Sequence, residues 1–155
     1  MSRAFVKDDD GGDGTEDLPD RLISEHPNLV TPEGLAQIEA EIARLSADYA
    51  AAQTAADRAA LQKIARDLRY WTARRSSAQL HAAPADAKSV HFGSRVTILR
   101  ADGRKQTYRI VGEDEADPAK GTLSYVSPLA QALLGKAEGE EVKAGAGLAE
   151  IIEIS

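Results

Sequence analysis

Between residues 32 and 80, large apolar side chains recur at spacings of three and four. Leu35, Ile38, Ile42, Leu45 and Tyr49 form one run. Leu61, Ile64, Leu68 and Trp71 form a second, which continues in register through Arg75 and Ala78. Such spacing places each set on one stripe of a helix packed against a single partner. "VTPEGL" supplies the start signal: Thr31 is suited to cap the helix, Pro32 to occupy its first position, and Glu33 to face the positive end of the dipole. The intervening "AAAQTAADRAA" carries no large apolar residue, which predicts an antiparallel helical hairpin with its tip near residues 53–58. Neither Gly nor Pro occupies that tip, so one continuous helix of about fifty residues, paired with a second chain, is the competing reading.

Beyond Leu80 the period changes. "HAAPADAKSV" has the composition of a linker. "RVTILR" (95–100), "QTYRIV" (106–111), "TLSYVS" (122–127) and "AEIIEIS" (149–155) read as strands, with the Asp-Gly pair of "RADGRK" turning the first into the second. "SPLAQALLG" (127–135) predicts a short helix with Ser127 as N-cap, Pro128 at its first position, Leu129, Leu133 and Leu134 facing inward, and Gly135 as terminator. The fold class is α+β: a helical hairpin, then a small antiparallel sheet with one helix across it. The expected organisation is an acidic arm over 1–28, the hairpin over 29–82, a linker over 83–90 and a C-terminal domain over 91–155.

Composition narrows the function. The 155 residues allow one moderate core or two small ones. A net charge of -6 and a pI near 5.1 disfavour a sequence-independent grip on nucleic acid phosphates. Residues 8–20, "DDDGGDGTEDLPD", combine seven carboxylates with three glycines and are expected to be disordered. With no cysteine, thiolate ligands and disulfides are excluded. The chain shows no apolar run of membrane-spanning length, and "MSRAFVKDDD" lacks the apolar core of a signal peptide, so a cytoplasmic location is expected. His26, His81 and His91 share no metal-ligand spacing, and the carboxylates Glu113, Asp114, Glu115 and Asp117 of "GEDEADP" do not follow a calcium-loop order. No metal, cofactor or enzymatic activity is expected.

"VTPEGL" ahead of a hairpin, then "VHFGSRVTIL" and "YRIVGEDEADPAKGTLSYVSPLAQALLGKAEGEEV", resembles the GreA/GreB family of bacterial transcript cleavage factors over about residues 28–155. The resemblance implies an N-terminal antiparallel coiled coil and a C-terminal domain of FKBP-like fold. It implies RNA polymerase as partner: the C-terminal domain docks at the rim of the secondary channel and the coiled coil enters it. Asp114, Glu115, Asp117 and Pro118 carry over by position as polymerase-contact candidates, and Ser127 and Pro128 chiefly as structural residues. A monomer that makes no sequence-specific nucleic acid contact and binds no membrane is the matching expectation.

The departure from the family lies at the tip. Cleavage factors carry a "GDLSENAEY"-like motif there, whose acidic pair suits a divalent ion in the polymerase active site. Here Asp57 is the only tip carboxylate and Asp48 lies about two turns back. "LSADYAAAQ" (45–53) echoes the motif but is read as chance, since Leu45 and Tyr49 belong to the seam. Arms of about 22 residues span ~33 Å, shorter than in typical cleavage factors. The expectation is a channel-binding elongation regulator with weak or absent cleavage stimulation. The alternatives are a short family member of the kind that regulates nucleoside diphosphate kinase, an FKBP-type prolyl isomerase, and a coiled-coil oligomer.

Overall fold

The computed structural model describes residues 18–155. Most of the acidic arm read from the sequence therefore lies outside the described residues. The chain divides into two compact units, one containing Glu39–Ser76 and the segment that ends at Ile23, the other Ser24–Ile38 and Ser77–Ser155.

The first unit is built on helix α1 (Pro32–Thr54) from Glu39 onward and on helix α2 (Arg58–Ser77) as far as Ser76; the first turns of α1 belong to the second unit. Between them the chain reverses over three residues: Ala55 and Ala56 donate to the carbonyls of Ala51 and Gln53, and Asp57 to that of Ala52. Ala56 takes φ 54°, a left-handed conformation that L residues other than Asn and Asp rarely adopt. The return is within one chain, because Arg75 near the end of α2 pairs with Glu39 near the start of α1 at 2.9 Å. This settles the competing single-helix reading in favour of the hairpin. Leu45 and Ala52 are buried on α1, while Leu61, Ile64, Leu68 and Trp71 are half-buried on α2. The extension of the second seam is corrected: Arg75 is exposed, and the buried residue at that level is its neighbour Arg74.

In the second unit, strands β1 (Leu29–Val30) and β2 (Gln79–Leu80) form a short parallel pair that the sequence reading omitted. Five further strands, β3 (Arg95–Arg100), β4 (Lys105–Val111), β5 (Thr122–Ser124), β6 (Glu141–Ala144) and β7 (Gly147–Ile154), form one sheet in the order β5-β4-β3-β7-β6. Inward-facing Val96, Ile98, Ile110, Leu123, Val142, Ala149 and Ile151 make the core with Ala130 and Leu133 of helix α3 (Pro128–Leu133). Full burial of each large aliphatic side chain contributes about 1.5–3 kcal/mol.

Three expectations need correction. The sheet is mixed and not purely antiparallel, because β4 and β5 run parallel, with Ile110 opposite Leu123. β6 escaped the sequence reading: it has only four residues, with two small or aliphatic side chains turned inward. Ala130 and Leu133 form the buried face of α3, whereas Leu129 and Leu134 only pack against its margin. The capping signals hold. Ser127 accepts from the Ala130 amide at 3.3 Å, and Gly135 follows the helix at φ 83°. Among the described residues, no helix is long and apolar enough to cross a membrane.

Candidate functional site

Two regions carry the residues singled out by sequence: the acidic connection between β4 and β5, and the hairpin tip. The first exists because of topology. Adjacent parallel strands cannot be joined by a tight turn, so the chain must cross over between them. Residues 112–121 make that crossing with two 3-10 turns, Glu113–Glu115 and Pro118–Lys120.

Within the crossing, Glu115 is anchored. Its carboxylate accepts from the Thr31 amide (2.9 Å), the Thr31 hydroxyl (2.5 Å) and the Gly112 amide (3.1 Å). Thr31 is fully buried, and its Oγ1 also accepts from the Gly34 amide at 3.0 Å, so one hydroxyl caps α1 while donating to Glu115. In a capping box the reciprocal acid sits on the helix's own first turn. Here that position is Gly34, and residue 115 supplies the acid from the other side of an 84-residue interval. A Cβ on Gly34 would lie 2.2 Å from Glu115 Oε2, so the glycine makes room for the clamp. A Cβ on Gly112 would lie 2.2 Å from the Leu29 carbonyl oxygen, so this glycine too answers to space: its φ of -72° is open to any residue. Arg109 on β4 adds a second grip on the start of α1, pairing with Glu33 at 3.0 Å. A backbone hydrogen bond at the helix start, followed by the Arg109 contact, holds the Glu33 carboxyl below the usual carboxylate range.

The remaining contact candidates are placed as follows. Asp114, Glu115 and Asp117 line one open groove of about 400 Å³ together with Gln37, Lys120 and Thr122. Asp117 caps the turn that Pro118 opens, accepting from the Ala119 amide at 3.2 Å. Pro118 is exposed. Ser127 and Pro128 lie outside this groove, at the start of α3, where Ser127 caps and Pro128 occupies the first position. Glu113, whose Oε2 is buried without a hydrogen-bond partner, sits beside this set. The sequence reading missed the roles of Thr31, Gly34 and Arg109 here, although the cap signal at Thr31 was a legible part of them.

At the hairpin tip, Asp57 Oδ1 accepts from the Ala60 amide at 3.1 Å and so caps α2. Asp48 lies inside α1 and pairs with Arg44 at 3.0 Å; the same guanidinium also holds Glu41. One carboxylate is committed to a helix terminus and the other to an arginine. Among the described residues no group of three or more His, Asp or Glu side chains is placed to hold a metal ion. The "LSADYAAAQ" echo falls within α1, short of the turn.

The model of the C-terminal part of the transcription elongation factors GreA/GreB matches residues 85–155. A GreA from Hyphomonas neptunium is 50% identical over 70 residues, 42% of this chain and 45% of the relative. A GreB from Xanthomonas axonopodis pv. citri is 37% identical over 136 residues, 75% of this chain and 81% of the relative. The solved structure of GreA factor homolog 1 from Thermus thermophilus aligns with 84% of this chain and 99% of its own at 18% identity, with a TM-score of 0.41. The chain spans 45%, 33% and 52% of the length of the first curated relatives it matches. With the C-terminal match and the 37% identity across most of a GreB, the chain belongs to the GreA/GreB family of transcription elongation factors.

Proposed function

We propose that this protein is a transcription elongation regulator that binds RNA polymerase at its secondary channel, with little or no stimulation of transcript cleavage. The second unit, read as an FKBP-like domain, docks on the channel rim, and the hairpin of α1 and α2 inserts. The observation that carries the cleavage part is the state of the tip: Asp57 caps α2 and Asp48 is held by Arg44. Asp57 already spends one carboxylate oxygen on the Ala60 amide, and Asp48 shares one with Arg44, so an ion at the tip would compete with both contacts.

Docking falls to the β4–β5 crossing. Half-buried Asp114 and Asp117 line its groove, exposed Pro118 follows them, and Glu115 holds its shape by tying it to Thr31. An acidic loop suits a basic partner surface, where complementary charge raises the rate of encounter and fixes register. The protein acts as a monomer and makes no sequence-specific contact with nucleic acid. Pull-down of polymerase core enzyme with the purified full chain tests the reading. Retention at low salt, weakened by Asp114→Asn with Asp117→Asn, is expected. Absence of any association at low salt would remove the polymerase reading altogether.

A further inference from the structure

We propose that residues 18–23 form a releasable strap on helix α2: closed, the strap covers the Tyr70 side of the helix, and open, it frees that ring and Arg69. Two grips close it. In the first, one guanidinium holds two acceptors, Arg69 Nε donating to the Asp20 carboxylate at 2.5 Å and a terminal nitrogen to the Leu18 carbonyl at 3.2 Å. In the second, Arg21 lies over the Tyr70 ring, 3.9 Å from its centroid, and pairs with Asp67 at 3.5 Å. Asp67 and Tyr70 stand three residues apart and so share one side of the helix. Tyr70 in turn meets Trp71 edge-on, with ring centroids 5.1 Å apart.

Charge holds the strap, not apolar burial. Leu22 is 96% exposed and Ile23 48%, so the two aliphatic side chains that follow Arg21 turn to water and add little to closure. The charged partners are themselves open to solvent: the side chains of Asp20, Arg69 and Arg21 are 71%, 42% and 38% exposed. Ion pairs of that kind are individually weak and are screened by salt, and a cation over an exposed ring gains only modestly.

Opening leaves no buried charge without a partner. Asp67, the least exposed of the group, keeps Arg66 at 3.2 Å when Arg21 departs, and Arg69 returns to solvent. Closing sacrifices less chain freedom than a six-residue segment ordinarily would, because Pro19 fixes its own φ and biases Leu18 toward extended backbone. Weak, screened contacts on one side and a low ordering cost on the other make a strap that ionic conditions can open and shut. The strap stands apart from polymerase binding and does not depend on it.

The ring current of Tyr70 gives a direct readout in the full chain. Arg21 side-chain protons are expected upfield of their position in Tyr70→Leu, and of that in the urea-unfolded chain, at about 0.01 M salt, and to lose the displacement near 1 M, where the screening length has fallen from ~30 Å to ~3 Å. The far-ultraviolet circular dichroism of the helices should not change across that range. Asp20→Asn, which removes an exposed charge from the first grip, should move the loss to lower salt. No displacement at low salt, a displacement that persists at 1 M, a loss that coincides with loss of helix, or indifference to Asp20→Asn would overturn the proposal.

Discussion

Glu115 joins three parts of the second unit: its own crossing, the β1 end of the chain and the first turn of α1. Glu115→Gln keeps the shape but removes the charge and turns one of the two acceptor oxygens into an NH2 donor, so not all three hydrogen bonds survive, and it should cost about 1–3 kcal/mol in urea unfolding. Gly112→Ala should cost a similar ~1–3 kcal/mol, because the new methyl meets backbone and not a movable side chain. Glu33 gives a pH signature. Its folded pKa is depressed, so its stabilising effect is present above the unfolded value and is lost as pH falls through the folded one. Glu33→Gln should therefore lower the urea midpoint at pH 7 and leave it unchanged well below about pH 4. A difference that persists in acid would show that its pairing with Arg109 is not the cause. The cap at Thr31 was legible from "VTPEGL", since capping is local. The Glu115 clamp was not, because its partners are 84 residues apart and an isolated acidic run gives no hint which of its members turns inward.

At the scale of elements, the hairpin is governed by its turn. Ala56 sits at φ 54°, where glycine carries no Cβ penalty. Ala56→Gly should accordingly stabilise the protein by up to ~1 kcal/mol, the relief of the left-handed conformation exceeding the added chain entropy. Asp57→Ala should cost ~1 kcal/mol through loss of the α2 cap, and Asp57→Asn should cost far less because its amide oxygen can still accept from Ala60. The helices were legible because their apolar period is sustained over several turns; the tip fell where large apolar residues stop. Arg74 defeated the pattern, since a buried arginine looks like surface in a sequence. β1, β2 and β6 have two to four residues each, too few to display an alternation. The parallel pairing of β4 with β5 was invisible for another reason: strand direction follows from the path of the connection, and the acidic crossing looked like an ordinary loop.

In the whole molecule, binding and cleavage rest on different parts of the chain. Family membership rests on similarity across the chain, whereas the proposed loss of cleavage rests on two carboxylates at one end of the hairpin. The mass in solution should be that of one chain, as the Glu39–Arg75 closure within the hairpin suggests. A stable dimer in sedimentation would require another surface to be explained. The central measurement is RNA cleavage in a backtracked elongation complex at saturating protein, with bound protein quantified in the same sample and Asp57→Asn run beside the wild type because it preserves the cap. The protein is expected to be bound, with the cleavage rate close to that of polymerase alone for both chains. Strong acceleration by the wild type that disappears in Asp57→Asn would contradict it and make Asp57 a working cleavage residue.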